Sequence, residues 1–462
     1  MPNHFHPIVI VGAPPCGCSI RGGHETQGGH ETQGGHETRP YLNGEGSDSR
    51  KITTMEKIRL LHFADLHIGM ENYGRLDPVT GVNGRVLDFM RRFDELIDYG
   101  LEREVDLVIF AGDAYKRRTP NPTHQRAFAR RVKRLADAGV PVVLLVGNHD
   151  LPTMTQRASS VGIFRTLDVP NVVVGRVEDI HHIETRHGPV QVATVPYPIR
   201  QRLLAHDDYR GLSIEQLDEA LQRIVTDNVR ALAEQLTPDV PAVLAAHLTV
   251  SGATFGSERS VMIGRDAVIL KSALADSAWD YVALGHIHKH QSLNEGGYPP
   301  VVYSGSLERI NFGEEGQPKG FCWVELAQGE TTWEFIEMDA RPFVTVRADV
   351  REALNPLMAL QQAVAPHDLH GAVVRLILRL RADQEPLVRD RDVRRLLSDA
   401  YFVGGINREV ERDARMRLGS LSPEEMTDRE LLAKYLETRS MDPERVRVLL
   451  EHAEVIFAGE SD

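Results

Sequence analysis

The chain has 462 residues, enough for two or three domains that each bury a hydrophobic core. With 42% hydrophobic and 26% charged residues, it has the composition of a soluble globular protein, and no apolar stretch approaches the roughly 20 residues that cross a bilayer. The formal charge of −13 argues against a uniformly basic nucleic-acid binder, and three cysteines are too few for a disulfide framework.

Residues 1–54 are expected to form a disordered leader. The hexapeptide Gly22–Gln27 (GGHETQ) is repeated as Gly28–Gln33 and in part again from Gly34. Low-complexity sequence of this kind buries too little apolar surface to offset the chain entropy lost on folding. The repeated histidines leave a metal-binding tail open as the alternative. Met55 stands just before the first apolar run and is a candidate translation start.

From Glu56 to about Leu326, apolar runs of strand length alternate with amphipathic segments. Five runs predict buried strands: Ile58–Phe63, Leu107–Phe110, Val142–Val146, Val243–Ala245 and Tyr281–Leu284. Three later runs predict hairpin strands of a second sheet: Val301–Tyr303, Gly320–Leu326 and Thr331–Ile336. Together with the helices between them, these runs follow the βαβ pattern of a layered α/β domain.

The helices of this region carry recognisable start signals. Helical periodicity covers Arg85–Arg103, Pro122–Ala138 and Ile214–Leu236. Asn121 is the expected N-cap of the second helix, and Ser213 and Gln216 have the spacing of a capping box before the third.

A second unit is predicted to begin near Arg341. Its expected strands are Val344–Arg347 and Val373–Leu380, and its expected helices are Pro356–Val364, with Asn355 as N-cap, and Val388–Asp399.

The last part of the chain predicts two short amphipathic helices. Ser422 followed by Pro-Glu-Glu is a helix start, because an N-cap residue precedes a proline and acids in the first turn. Two apolar stripes follow, formed by Leu431, Leu432, Tyr435 and Leu436 and by Val446, Leu449, Leu450 and Ala453. The helices either pack on their own domain or dock a partner.

Polar residues with metal-binding side chains follow the five predicted strands. The motifs are Asp65-Leu-His67, Gly112-Asp113, Gly147-Asn148-His149-Asp150, Ala246-His247 and Gly285-His286-Ile-His288. In open α/β sheets, reactive side chains collect at the carboxyl ends of the strands. The motifs therefore predict a cluster of ligands at one edge of a sheet.

The cluster offers enough ligands for two divalent ions, which phosphodiester hydrolysis uses to neutralise phosphate charge and to generate hydroxide at neutral pH. Asp113 is predicted to bridge the ions. One shell would be completed by Asp65, His67 and His288, and the other by Asn148, His247 and His286. Mixed oxygen and nitrogen ligands suit manganese, iron or zinc better than magnesium or calcium.

His149 is expected to face the substrate, because the neighbouring Asn148 is assigned to a metal ion. A protonated imidazole near the scissile bond can protonate the leaving alkoxide, and Asp150 is expected to orient the ring. The alternative is that His149 is one more metal ligand.

These motifs resemble the calcineurin-like metallophosphoesterases and, more narrowly, the SbcD-type nuclease subunits of double-strand-break repair complexes. The matching stretches are Leu61–Gly69, Asp106–Asp113, Val140–Asp150, Ala245–Gly252 and Val282–His288. A further block, Tyr303–Glu314 with Lys319-Gly320, separates this group from generic phosphatases.

The resemblance implies an α/β fold, a layered metallophosphoesterase β-sandwich flanked by helices, with a small α+β capping domain and C-terminal helices. The implied domains are a nuclease domain at 55–338, a capping domain at 339–419 and partner-binding helices at 420–462. The implied activity is DNA cleavage that depends on two Mn²⁺, with Mg²⁺ or another divalent ion as the alternative. It would be exonucleolytic on duplex ends and endonucleolytic on single strands and hairpins.

The resemblance also implies partners and a location. DNA and an SbcC-type coiled-coil ATPase would be the partners, and the nuclease would be a homodimer within a heterotetramer. The expected location is the cytoplasm, in association with the nucleoid, with no membrane contact.

One departure from the family concerns Lys116. Relatives often place a histidine three residues after the bridging aspartate, where it contributes to exonuclease activity, and this chain has Lys116 there. A lysine is a poorer proton shuttle at neutral pH but can hold a phosphate as a point charge. Arg117 and Arg118 either hold a backbone phosphate or form a solvated basic loop.

Two rival functions remain open on the same residues. The first is a small-molecule phosphodiesterase or nucleotide phosphatase, which would need little beyond the core and leaves the region after Arg341 unexplained. The second is a metal-stabilised scaffold without catalysis, against which the intact ligand set and His149 argue.

Overall fold

The computed structural model of the protein describes residues 56–151, 158–204, 207–256, 266–411, 427–438 and 441–459. The leader predicted at 1–54 and the helix start predicted at Ser422 lie outside the described residues. The fold divides into two compact units. The first takes in the described parts of residues 1–70, 89–308 and 318–339, and the second those of 71–88, 309–317 and 340–462.

The strands before residue 340 are β1 (Ile58–Phe63), β2 (Leu107–Phe110), β3 (Val142–Leu145), β4 (Val172–Gly175), β5 (Asp179–Thr185), β6 (Gly188–Val195), β7 (Ala242–His247), β8 (Thr249–Val250), β9 (Val268–Ile269), β10 (Tyr281–Gly285), β11 (Gln291–Ser292), β12 (Val301–Tyr303), β13 (Gly320–Leu326) and β14 (Thr332–Glu337). The helices are α1 (Gly84–Glu102), α2 (Pro122–Asp137), α3 (Ile163–Thr166), α4 (Arg200–Leu204), α5 (Ile214–Ala233) and α6 (Lys271–Leu274).

Two six-stranded sheets build the first unit, in the orders β14-β13-β1-β2-β3-β4 and β11-β12-β10-β7-β6-β5. All five strands predicted to carry the motifs are confirmed. They belong to both sheets, however, because β1 to β3 lie in one and β7 and β10 in the other. The prediction that the later runs form hairpin strands of the second sheet is wrong in part. Only β12 joins it, parallel to β10, whereas β13 pairs antiparallel with β1.

The two sheets pack face to face as a sandwich. Their shared core contains Leu60, Ile109 and Val143 from the first sheet and Val243 and Ala283 from the second. Strands of this kind are buried on both faces and therefore read as continuous apolar runs in the sequence. On the outer face of the first sheet, aromatic rings of α1 and α2 contact rings of β1 and β2: Phe93 and Phe128 against Phe63 and Phe110. On the outer face of the second sheet, Val225 and Val229 of α5 join the core. The predicted sandwich flanked by helices is confirmed.

The local helix signals act as predicted. The Asn121 side chain accepts a hydrogen bond from the His124 amide at 2.8 Å. The Ser213 hydroxyl accepts one from the Gln216 amide, and the Gln216 side chain accepts one from the Ser213 amide, which completes the capping box. Caps of this kind depend only on residues within one turn, so that the sequence alone identifies them.

The second unit contains a three-stranded parallel sheet, in the order β15 (Phe343–Asp349), β16 (Val373–Arg381) and β17 (Phe402–Glu411). The helices α7 (Pro356–Val364) and α8 (Asp390–Leu396) connect the strands and share their core. The sequence did not predict β17. At the end of the described chain lie α9 (Asp428–Thr438) and α10 (Pro443–Gly459).

Residues 71–88 and 309–317 also belong to the second unit, although the sequence placed them in the nuclease domain. Among the described residues, no helix combines the length and the apolar character that a membrane span requires.

Candidate metal centre

The seven predicted ligands lie at the carboxyl ends of strands from both sheets of the first unit. Asp65, Asp113 and Asn148 follow β1, β2 and β3, His247 ends β7, and His286 follows β10. The side-chain ligand atoms of Asp65, His67 and His288 all lie within 4.8 Å of one another, and so do those of Asp65, Asp113 and His247. The sequence predicted that the ligands lie at one edge of one sheet, whereas in the structure they lie at the adjoining edges of two sheets.

The first cluster consists of Asp65, His67 and His288. The Nε2 atoms of the two histidines are 3.0 Å apart, and His67 Nε2 lies 3.7 Å from Asp113 Oδ2. The Asp65 carboxylate accepts hydrogen bonds from the amide of His286 at 3.0 and 3.1 Å. A carboxylate and two imidazole nitrogens therefore face one small volume, with Asp113 at its border.

The second cluster consists of Asn148, His247 and His286. Asn148 Oδ1 lies 3.0 Å from His247 Nε2 and 3.0 Å from His286 Nδ1. His247 Nε2 also lies 3.6 Å from Asp113 Oδ2. The Asp113 carboxylate is thus adjacent to both clusters, which is the position that a bridging ligand needs.

Two of the histidines are turned towards the second cluster by contacts of their other ring nitrogen. His247 Nδ1 lies 2.7 Å from the carbonyl oxygen of Ala111. His286 Nε2 lies 2.9 Å from Asp266 Oδ2. An imidazole that donates one N–H in this way presents the lone pair of its other nitrogen, and that nitrogen is the one that can bind a metal ion.

Four of the seven residues have left-handed backbone conformations. The φ angles are 54° at Asp65, 43° at His67, 64° at Asp113 and 99° at His286. A non-glycine residue in this region costs about 1–3 kcal/mol and persists where its surroundings enforce it. The amides of Asp65 and His67 donate to the carbonyls of Gly112 and Asp113 at 3.0 and 3.1 Å, which joins the two loops. Strain concentrated at these loops is typical of functional sites.

The glycines of the motifs allow these loops to approach each other. A Cβ atom at Gly112 would lie 2.4 Å from His247 Nδ1, and one at Gly147 would lie 2.2 Å from Asp113 Oδ1. At Gly285 it would lie 2.1 Å from the carbonyl oxygen of Ala111. Each of these three motifs therefore begins with glycine because a side chain there would occupy the space of a neighbouring ligand or strand.

The electrostatics of the centre fit divalent cations. Burial raises the pKa of Asp65 to about 6. Burial would also raise the pKa of Asp113, but His247, His149 and His67 hold it well below its usual value. Burial would lower the pKa of His247, but Asp113 raises it to about 9. Two buried carboxylates, an amide oxygen and four imidazoles form a donor set that suits two divalent ions of the manganese, iron or zinc type.

The predicted role of Asp150 as the orienting partner of His149 is wrong. The Asp150 carboxylate accepts hydrogen bonds from the amides of Asp113, Ala114 and Gly147 at 2.9–3.3 Å, and from the Ser160 hydroxyl. Asp150 therefore holds the loop that carries Asp113. Burial raises its pKa to about 7.

The His149 ring is positioned by the main chain instead. Its Nδ1 lies 2.8 Å from the Lys116 carbonyl oxygen, and its ring packs edge-on against His67 with 4.8 Å between centroids. The alternative in which His149 binds metal also fits the geometry, because His67, Asp113 and His149 bring ligand atoms within 4.8 Å of one another. Since the Lys116 main-chain carbonyl makes this contact, the orientation of His149 does not depend on the side chain at position 116.

Sequence reasoning missed two residues beside the clusters. Asp266 lies outside every recognised motif, and no local pattern marks it. Burial would raise its pKa, but hydrogen bonds with His286, Tyr197 and Thr249 lower it, so that the carboxylate is ionised. Lys319 belongs to the last block of the sequence resemblance, Tyr303–Glu314 with Lys319-Gly320, although the sequence assigned it no role.

Lys319 is almost completely buried, with 1% of its surface exposed. Its Nζ donates to the carbonyl oxygen of His288 at 3.0 Å and to the Ser306 hydroxyl at 2.9 Å. The Ser306 amide donates to the same His288 carbonyl at 3.1 Å. The block around Ser306 and Lys319 therefore fixes the main chain at His288.

The comparisons with known proteins cover the same part of the chain. Residues 58–290, just over half of the chain, match the family model described as calcineurin-like phosphoesterase, and this stretch contains all seven predicted ligands. The chain is 28% identical over 304 residues to the SbcD subunit of the SbcCD nuclease of Bacillus subtilis (strain 168), which covers 63% of this chain and 72% of that protein.

Two solved structures are also similar. TT1561 of Thermus thermophilus has a TM-score of 0.34 and 13% identity, covering 60% of this chain and 99% of that one. A dimetal phosphatase from Danio rerio has a TM-score of 0.35 and 11% identity, covering 61% of this chain and 96% of that one.

The substitution Gly285→Ala should disrupt the centre. The added methyl group would collide with the Ala111 carbonyl, and relief of the clash moves His286 away from Asn148. We expect the affinity for Mn²⁺, measured by isothermal titration calorimetry, to fall by about ten-fold or more. Gly405→Ala is the control, because the added Cβ atom would lie at an ordinary contact distance of 3.6 Å from its nearest neighbour, Asn407 Oδ1. Wild-type affinity in Gly285→Ala would contradict the packing argument.

The substitution Lys319→Met should weaken metal binding without touching a ligand. Methionine fills a similar volume but cannot donate to the His288 carbonyl, which then keeps the Ser306 amide as its donor and holds His288 less firmly. We expect the Mn²⁺ affinity to fall by about ten-fold. Lys271→Met is a matched control, since Lys271 Nζ donates to the Leu293 carbonyl at 3.1 Å, away from the clusters. Equal effects of both substitutions would show that Lys319 serves stability alone.

Proposed function

This chain belongs to the calcineurin-like phosphoesterase family and is a metal-dependent hydrolase, and we propose that it is a DNA nuclease of the SbcD type. The observation that carries the proposal is the pair of clusters that share Asp113. The similarity to the SbcD subunit of the Bacillus subtilis SbcCD nuclease supports DNA as the substrate. In this proposal, the chain acts in double-strand-break repair as an exonuclease on duplex ends and an endonuclease on single strands and hairpins.

The clusters would hold two Mn²⁺, with Mg²⁺ or another divalent ion as the alternative. Asp65, His67 and His288 would hold one ion, Asn148, His247 and His286 the other, and Asp113 would contact both. When bound, the ions supply charge neutralisation on the phosphate and hydroxide at neutral pH. The residues of the chain supply fixed positions for this chemistry, because the glycines, Asp150 and Lys319 hold the loops that carry the ligands.

His149 would protonate the leaving alkoxide. Because its Nδ1 contacts the Lys116 carbonyl, Nε2 is the nitrogen left for the substrate. A protonated imidazole at this place would transfer its Nε2 proton to the leaving oxygen as the phosphodiester bond breaks.

Several basic side chains support a polyanionic substrate. Arg117 and Arg118 are exposed in the loop that follows Asp113. In the second unit, Arg347 is exposed on the face of the sheet opposite the helices, where an arginine can hold a DNA phosphate. The neighbouring Arg375 instead packs over the Phe312 ring and donates to the Thr345 hydroxyl at 2.9 Å. We assign a capping role in DNA access to residues 339–419 on this basis, beside the nuclease domain at 55–338.

The C-terminal helices would dock the base of an SbcC-type coiled-coil ATPase. Tyr435 of α9 and Val448, Leu449 and Phe457 of α10 are 38–53% exposed, which leaves apolar surface for a partner helix. In this assembly, the chain would be a homodimer within a heterotetramer, in the cytoplasm and associated with the nucleoid.

The proposal is tested by digestion of end-labelled linear and hairpin DNA with the purified full-length protein. We expect manganese to support cleavage better than magnesium and EDTA to abolish it. His149→Ala should retain Mn²⁺ and DNA binding but cleave roughly 10²-fold more slowly, because it lacks the proton donor. His181→Ala is a control, since His181 contacts Thr194 on the outer strands β5 and β6.

The outcomes separate the rival functions. Hydrolysis of nitrophenyl phosphodiesters or cyclic nucleotides, with none of DNA, would establish a small-molecule phosphodiesterase. Binding of metal without any hydrolysis would establish a scaffold. Unchanged cleavage by His149→Ala would refute its role as the acid.

Deletion of residues 422–462 should separate catalysis from assembly. We expect manganese-dependent cleavage to persist, since the clusters lie in the first unit, and association with the ATPase to be lost. Co-purification of the two proteins, measured with and without the deletion, checks this. An ATPase that still co-purifies with the shortened chain would place the docking surface elsewhere.

A further inference from the structure

His286 is held at both of its ring nitrogens. It is buried, its φ is 99°, and both of its ring nitrogens have close oxygen neighbours. Nδ1 lies 3.0 Å from Asn148 Oδ1, inside the second cluster, and Nε2 lies 2.9 Å from Asp266 Oδ2, outside it. The ring is therefore held from behind by a carboxylate while its other nitrogen faces the cluster.

Asp266 is itself held in place by two hydroxyl groups. Its Oδ1 accepts a hydrogen bond from the Tyr197 hydroxyl, and its Oδ2 accepts one from the Thr249 hydroxyl at 3.3 Å. The Tyr197 ring also packs against the His286 ring, with 5.4 Å between centroids. Tyr197 follows β6 and Thr249 lies in β8, so that two separate chain segments fix one carboxylate.

A carboxylate that contacts the outer ring nitrogen of a histidine changes the electron density of the ring more than a carbonyl does. In the same cluster, His247 Nδ1 faces the neutral carbonyl of Ala111. A carboxylate is a stronger hydrogen-bond acceptor than a carbonyl, so that Asp266, at 2.9 Å, fixes the hydrogen on His286 Nε2 and makes Nδ1 a stronger electron donor. His286 is thereby set to bind through Nδ1, whereas His247 is set to bind through Nε2.

We propose that Asp266 is a positioning residue for the second cluster, and that Tyr197 and Thr249 hold it in that role. The inference rests on the proposed function, because it requires an ion at the second cluster. Asp266 lies on the far side of His286 from Asn148 and acts through the imidazole, without contacting the substrate. Its loss should therefore weaken one ion of the two.

The test is a Mn²⁺ titration followed by electron paramagnetic resonance, which distinguishes a single ion from a coupled pair. We expect the wild type to bind two ions. Asp266→Ala should bind the first with an affinity within about two-fold of wild type and the second about 10- to 100-fold more weakly. The affinity of Asp266→Asn for the second ion should lie between those of the wild type and Asp266→Ala. Its amide oxygen can still accept a hydrogen bond from Nε2 but is a weaker acceptor than a carboxylate.

Tyr197→Phe provides a milder second variant that does not depend on the folding of the alanine variant. It removes only the hydroxyl that holds Asp266, and we expect the affinity for the second ion to fall several-fold. Tyr298→Phe is a matched control. The Tyr298 hydroxyl also donates to a carboxylate, that of Asp280 at 2.6 Å, but Asp280 lies at the amino end of β10, whereas His286 follows its carboxyl end. In steady-state cleavage, Asp266→Ala at limiting Mn²⁺ should lower kcat with little change in KM, and added Mn²⁺ should restore it.

The possible failures are distinguishable. A wild-type protein that binds fewer than two ions would overturn the proposed function, and this inference with it. A wild type with two ions and an Asp266→Ala variant with the same two affinities would overturn this inference alone. Equal weakening of both ions, or equal effects of Tyr197→Phe and Tyr298→Phe, would show that Asp266 serves only general stability.

Discussion

The buried carboxylate of Asp113 is the constraint on which the centre depends. Its Oδ2 atom lies 3.7 Å from His67 Nε2 in the first cluster and 3.6 Å from His247 Nε2 in the second. His67 follows a strand of the first sheet, and His247 ends a strand of the second. A carboxylate can occupy this position only if the loops after β2 and β3 approach within van der Waals contact, and the glycines at 112 and 147 allow that approach. The sandwich therefore brings two sheet edges together around one charge, and the other ligands are arranged around it.

A layer of residues without metal-ligand roles holds this arrangement. Asp150 accepts hydrogen bonds from the amides of the Asp113 loop, Lys319 donates to the His288 carbonyl, and Asp266 contacts His286. Each acts on a main-chain group or on the outer nitrogen of a ligand, which leaves the inner atoms available for ions. Because left-handed residues cost free energy, the hydrogen bond from the Asp113 amide to Asp150 explains how Asp113 keeps its unusual conformation.

The stretch that matches the family and the residues proposed to contact DNA and a partner cover largely different parts of the chain. The stretch 58–290 that matches the family contains every predicted ligand, so that hydrolysis of a phosphoester follows from the first unit. The preference for DNA and for a repair assembly is proposed from Arg117 and Arg118 of the first unit, from Arg347 of the second unit and from the C-terminal helices. The substrate assay and the partner assay therefore test different regions of the chain.

The sequence by itself determined the motif-bearing strands, the capped helices and the identity of the candidate ligands. These features are local: a strand buried on both faces is continuously apolar, and an N-cap depends on residues within one turn. Only the tertiary structure decided that the motifs lie on two sheets, that Asp150 holds the Asp113 loop across 37 positions and that Asp266 contacts His286. Hydrogen-bond partners far apart in sequence are set by how the sheets pack, and no local pattern encodes them.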